Sequence, residues 1–176
     1  MNFVQSPSGG IIMAIGWLLA YLVVLYWAQR PRHRDRWLVV IAATAMGAIV
    51  FLVNLVARAV GWWAWWGYTL PLMVQAGLLL LGPSVFFVFI LTGYRWLVAH
   101  NQRPLLWYGL IGIAVLVPFT VLADLYSIER GKLSFGKGYT LWQDVIVGQI
   151  FIWIPVLIYR RIQHWYQMSL SNRGAG

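Results

Sequence analysis

Five apolar stretches, at about residues 11–28, 37–58, 70–93, 105–123 and 141–159, constrain this chain more than any other feature. Each is close to the roughly 20 residues an α-helix needs to cross bilayer hydrocarbon. A backbone in hydrocarbon satisfies its polar groups only as helices or as a closed barrel. The expected fold class is therefore all-α: a polytopic membrane protein with five transmembrane helices. Composition agrees, since 61% hydrophobic residues against 10% charged lie outside the range of a soluble domain. The first stretch differs from a signal peptide because its flank "MNFVQSPSGG" has no Lys or Arg and no small-residue cleavage site follows.

The basic residues then suggest an orientation. Arg30, Arg32, Arg34 and Arg36 fill the first loop, Arg95 and Arg103 flank the third, and Arg160, Arg161 and Arg173 lie at the carboxyl end. Arg58, Arg130, Lys132 and Lys137 fall on the opposite side. Basic residues are retained in the cytoplasm near helix ends, so the amino terminus is expected outside and the carboxyl terminus inside. A bacterial inner membrane is preferred to an endoplasmic reticulum. The net charge of +9 is read as topology together with attraction to anionic head groups, and nucleic acid is not expected as a partner. The absence of Cys removes disulfides, thiolate metal sites and Cys nucleophiles.

The tetrapeptide Gly-Tyr-Thr-Leu occurs at 67–70 and again at 138–141. It belongs to a longer register. Trp37 and Trp107, Asn54 and Asp124, and Gly61 and Gly131 are each 70 apart; Gly77 and Gly148 are 71 apart, and Pro83 and Pro155 are 72 apart. This drift is what small insertions produce, and it predicts two tandem helix-loop-helix repeats with the same orientation, forming a four-helix bundle plus an added first helix. The expected divisions are 1–36 (first helix and basic loop), 37–104 (repeat 1), 105–162 (repeat 2) and 163–176 (cytoplasmic tail).

Both Gly-Tyr-Thr-Leu loops then fall on one membrane face. Tyr68, Tyr139, Trp62, Trp63, Trp65, Trp66 and Trp142 fit an aromatic belt at head-group depth; a lipid-binding vestibule is the alternative. The alternation of Leu133 and Phe135 suggests a short hairpin or an interfacial lid.

Polar groups inside hydrocarbon are costly and mark candidate sites. Asp124 and Asp144 lie near the same face on helices joined by a short loop, and Asn54 and Arg58 share a face of the second helix at spacing i, i+4. An ion pair of Arg58 with Asp124 or Asp144 is expected. It serves either to hold the repeats together or to set up chemistry, because an acid in an apolar cavity is suited to protonating an alkene or hydroxyl. Asp124 and Asp144 are the candidate catalytic residues. Asn54, Arg58, Gln75, Gln149, Trp142 and Trp153 are the candidate substrate-binding residues. Pro83, Pro118 and Pro155 are positioned to kink their helices.

The second repeat, "ADLYSIERGKLSFGKGYTLWQDVIVGQIFIWIPVL", and more faintly "FLVNLVARAVGWW" with "LLLLGPSVFFVFIL", resembles the EXPERA domain of the emopamil-binding protein and sigma-2 receptor group. The shared features are an Asp followed by an aromatic at a helix end, a glycine-bearing loop, and an inward polar residue several places before Pro. Residues 37 to 161 would be covered. The resemblance implies a bundle with a cavity for sterol-like ligands, with Gln149 at the place of an inward amide. Where the family's isomerases carry inward His and Glu, this chain has Asn54, Arg58 and Gln75. The second repeat also resembles the lycopene cyclase domain family through Asp124, Arg130-Gly131 and Phe135, with Gln143-Asp144 where that family has an acidic pair.

No phosphate-cradling loop occurs, and His33, His100 and His164 have no metal-ligand spacing. No metal or cofactor is expected. Two functional classes stand. One is a membrane protein whose cavity binds, and isomerises or cyclises, a hydrophobic isoprenoid or sterol-like lipid. The other is a non-enzymatic accessory subunit or small transporter, as a homodimer or within a larger membrane complex. The segment "RRIQHWYQMSLSNRGAG" is expected to lie on the cytoplasmic surface as an amphipathic extension ending in a disordered tail.

Overall fold

A computed structural model describes residues 7–29, 35–65, 70–131, 133–136 and 138–173. Among the described residues, five helices are long and apolar enough to cross a membrane. They are α1 (Pro7–Gln29), α2 (Asp35–Val60), α3 (Leu72–His100), α4 (Pro104–Glu129) and α5 (Leu141–Arg173). Several overrun the expected apolar stretches. Hydropathy marks only the part of a helix that contacts hydrocarbon, whereas the helices continue through Arg95, Glu129 and Arg160. In particular, α5 passes unbroken through residues 163–173. Arg30, Arg32, Arg34, Lys132, Lys137 and the end of the tail at 174–176 lie outside the described residues, as do Trp66, Tyr68 and most of the first Gly-Tyr-Thr-Leu.

Helix α2 is the hub. It packs along α3 and against α5, while α1 leans on α3 and α2, and α4 on α5 and α3. Midway along α2, Val39, Ala42, Ala43 and Met46 are fully buried and meet Leu91 of α3 and Val156 of α5. Small residues allow this close approach, which in lipid supplies the packing that the hydrophobic effect does not. A Cβ on Gly47 would overlap Ser84 Oγ and stand 2.6 Å from the Leu80 carbonyl oxygen. The middle of the bundle is therefore filled, and the described clefts lie in grooves and toward the two ends.

Helices α3 and α4 each contain one π-helical turn, at Gly77–Leu81 and Gly112–Leu116. Each turn stops two residues short of a proline, Pro83 or Pro118, in the pattern Gly-x-x-x-Leu-x-Pro. A wide turn accommodates a ring that offers no N–H and collides with the preceding carbonyl. Pro155 lies within α5 with no such turn, and one turn earlier the Tyr108 hydroxyl donates to the Ile152 carbonyl at 2.7 Å.

Residues 133–135 do not form the expected local hairpin. They form β2 (Leu133–Phe135), which pairs antiparallel with β1 (Trp63–Trp65) from the other interhelical loop. Trp63 pairs with Phe135, Ala64 with Ser134 and Trp65 with Leu133, so the pairing is centred on Ala64 and Ser134, residues 70 apart. Each strand follows a helix that ends at a left-handed glycine, Gly61 (φ 79°) or Gly131 (φ 65°). Only glycine takes that conformation without a Cβ penalty, and both amides turn back onto carbonyls of the preceding helix. The two-stranded sheet closes one end of the bundle, and the turn between α3 and α4 lies at the other.

Candidate functional site

The polar residues of the sheet end fall into two networks. In the first, Trp63 Nε1 donates to Asn54 Oδ1 at 2.9 Å and Asn54 Nδ2 donates to the Val50 carbonyl at 2.8 Å. Arg58 Nη1 donates to Gln75 Oε1 at 2.8 Å, and Gln75 Nε2 to the Leu70 carbonyl at 2.6 Å. The i, i+4 spacing of Asn54 and Arg58 does place both on one pocket wall with Trp63 and Gln75, but the space between them is only about 10 Å³. Trp63 is 5% exposed and, with Ala57 and Leu133, forms a small core beneath the sheet. It is a buried strut and not the interfacial anchor expected from the sequence. Trp62 and Trp142, at 43% and 68% exposed, fit the aromatic belt.

The second network runs between α4 and α5. Buried Asp124 and part-buried Asp144 lie close enough to interact. Two like charges held this close favour sharing one proton. The Tyr139 hydroxyl donates to Asp144 Oδ1 at 3.2 Å. Burial, and then the neighbouring Asp144 charge, push the Tyr139 phenol above its ordinary value, which keeps it a donor. The expected ion pair of Arg58 with an aspartate is not among the described contacts. Arg58 donates to Gln75, and Asp144 accepts from Tyr139.

Asp124 Oδ2 and Gln149 Nε2 are buried without a hydrogen-bond partner among the described residues. Each such group costs about 1–3 kcal/mol. Gln149 is five residues beyond Asp144, about 7.5 Å along α5. Its Oε1 lies near Gly112, and Gly148 faces Thr120, so the α4–α5 seam continues as a polar strip inward from the carboxyl pair. Trp153 does not join it. Its ring stacks edge-on against Tyr108 at 5.3 Å, further along α5.

Tyr139 connects the networks. Its ring lies 4.7 Å from that of Trp63, 5.5 Å from Phe135 and 6.4 Å from Trp62, with which it is stacked. Beside it opens a cleft of about 350 Å³ lined by Trp62, Gly138, Tyr139, Gln143, Ile146 and Val147. Ile146, on a helix long and apolar enough to cross a membrane, is exposed beside the cleft. The sequence reading placed Tyr139 at the membrane boundary and missed its bond to Asp144, although the five-residue spacing across a helix start was the available signal. Comparison of the chain with protein-family models, with curated proteins and with solved structures finds no match.

Proposed function

We propose that the sheet end binds a hydrophobic isoprenoid or sterol-like lipid in the cleft beside Tyr139, and that the Asp124–Asp144 pair exchanges a proton with it. The single observation that carries this reading is the pair itself: buried Asp124 beside part-buried Asp144, with the Tyr139 phenol linking Asp144 to an adjoining cleft. A purely structural pair would be expected to satisfy its oxygens, whereas Asp124 Oδ2 has no hydrogen-bond partner among the described residues.

Alkene isomerisation needs little more than these groups. The protonated carboxyl delivers its proton to one alkene carbon and becomes a carboxylate. The adjacent carbon becomes cationic, facing the ring of Trp62, whose π-face attracts positive charge. Loss of a proton from a neighbouring carbon to the carboxylate restores the acid and leaves the double bond shifted. No oxidant or reductant enters, and attack of a second alkene on the same cation gives a ring instead. Tyr139 holds the receiving carboxylate by its hydrogen bond.

The same reading takes residues 37–93 and 105–161 as diverged copies. It is supported by the sheet centred on Ala64 and Ser134, by left-handed glycines at 61 and 131, and by Asn54 and Asp124 at matching positions. One copy then keeps an amide in a closed structural network, and the other carries an acid beside an open cleft. The EXPERA and lycopene cyclase resemblances fit this division as proposals.

The test is lipid extraction and mass spectrometry on protein purified in mild detergent, for the wild type and for Asp144→Asn. The expected result is one co-purifying isoprenoid or sterol-like species in both, chemically converted only by the wild type. Bulk phospholipid alone, or a co-purifying larger protein, overturns the reading in favour of an accessory subunit.

A further inference from the structure

At the end of the bundle opposite the sheet lies the larger cleft, about 630 Å³, bounded by α2, α3, α4 and α5. That volume is within the range of small-molecule sites, about 300–1,000 Å³. Arg95, Arg103 and Arg160 line it with a single acid, Asp35. Arg95 Nη2 is 3.5 Å from Asp35 Oδ2, which ties that guanidinium to the wall. Arg103 and Arg160 make no ion pair among the described residues, so the cleft carries an excess of positive charge.

Arginines near helix ends are common and by themselves record topology. Two further observations separate this cleft from a solvated rim. Tyr94 and Tyr159, 4% and 3% exposed, line it, and neither hydroxyl has a hydrogen-bond partner among the described residues. Helix α4 also begins in the cleft, at Pro104, Leu105 and Leu106, with no side chain capping its first amides. Two guanidinium groups without an ion pair among the described residues, two tyrosine hydroxyls and an uncapped helix start line one cleft whose side-chain acceptors are Asp35, already tied to Arg95, and the amides of Gln102 and Gln163. A tetrahedral oxyanion supplies the acceptors such a set requires.

A second feature indicates what carries the anion. On the other side of Tyr94 an apolar groove of about 250 Å³ runs between α3 and α4, lined by Phe89, Gly93, Trp96, Tyr108 and Ile111. Tyr94 belongs to both walls, so an arginine-lined cleft and an apolar groove meet at one side chain. That is the outline of an amphiphile.

We infer that this cleft holds a phosphate group, presented by a lipid whose chain lies in the α3–α4 groove. The site is independent of the one at the sheet end, and neither stands or falls with the other.

The test is native mass spectrometry of delipidated protein titrated with dioleoylphosphatidylglycerol or with the zwitterionic dioleoylphosphatidylcholine, each with and without a roughly tenfold molar excess of inorganic phosphate, an untethered ion of weaker affinity. The expected result is a discrete phosphatidylglycerol adduct at least about tenfold preferred over phosphatidylcholine and insensitive to inorganic phosphate. It weakens by about tenfold or more in Arg103→Gln/Arg160→Gln, as expected for loss of charge-assisted hydrogen bonds. Tyr94→Phe/Tyr159→Phe, which keeps the rings that pack the core, weakens it by a smaller factor. Asp35→Asn tightens it, because the competing carboxylate is gone. Displacement of the adduct by inorganic phosphate supports the phosphate site and reassigns its source to a soluble anion. Equal adducts with the two lipids overturn the inference, as does an adduct unchanged in the folded double-arginine variant.

Discussion

At the sheet end, aromatic rings from both interhelical loops pack together, and one of them, Tyr139, donates to Asp144 beside Asp124 and lines a cleft of about 350 Å³. At the opposite end, three arginines and two buried tyrosines line a cleft with one acid. The first end concentrates acceptors and the second concentrates donors. One tight helical core separates them, so a rigid interior holds two unrelated chemistries apart. The difference teaches that charge alone does not locate function in such a chain. The more basic end is suited to gripping a head group, while the end with almost no net charge is suited to moving a proton.

The comparison can be broken at several points. Trp63→Ala has the largest expected effect, about 3–5 kcal/mol for loss of a buried Trp, since it also leaves Asn54 Oδ1 without its donor. Hydrogen exchange should rise in residues 61–65 and 133–136 while amides near Tyr94 and Tyr159 stay protected; a uniform rise would mean that the ends are not separable. Gly47→Ala lies between them and forces α2 away from Leu80 and Ser84, for a loss of about 1–3 kcal/mol, read as a lower thermal midpoint in detergent with both ends loosened together.

Subtler changes sharpen the contrast. Asp124→Asn should lower stability by less than about 1 kcal/mol, because an amide N–H can replace the shared proton in donating to Asp144, yet it should abolish turnover. A variant as active as the wild type would return the pair to a structural role.

The Tyr139 phenol titrates higher in the folded protein than its ordinary 10.0. A raised value means that its contribution is fully present below about pH 10 and is lost as pH rises above that. The thermal midpoint of the wild type should therefore fall more steeply above pH 10 than that of Tyr139→Phe, and parallel curves would remove Tyr139 from the network. Smallest of all, Asp35→Asn should alter stability by at most about 1 kcal/mol, because Asp35 and Arg95 form a solvent-accessible pair.

The five helices were legible in the sequence because hydrocarbon permits so few backbone solutions. Their ends were less so, since hydropathy is silent once a helix leaves the membrane with residues such as Arg160. Asp124 and Asp144 could be singled out as neighbours from loop length and cost of burial. How closely they approach could not, because that depends on helix rotation. Trp63 was misjudged for a related reason. A tryptophan among tryptophans suggests a belt, and only pairing of β1 with β2, a contact between loops 70 residues apart, turns it inward. The arginines were read as topology, and nothing in their spacing showed that three of them border one cleft with Tyr94 and Tyr159.

The most direct test of the central claim is native mass spectrometry of the protein with its co-purified neutral lipid, comparing Trp62→Ala/Val147→Trp at the sheet-end cleft with Arg103→Gln/Arg160→Gln at the other end. The account predicts that the neutral isoprenoid or sterol-like adduct disappears in the first variant and persists in the second. Loss of that adduct in the arginine variant with retention in the sheet-end variant would contradict it.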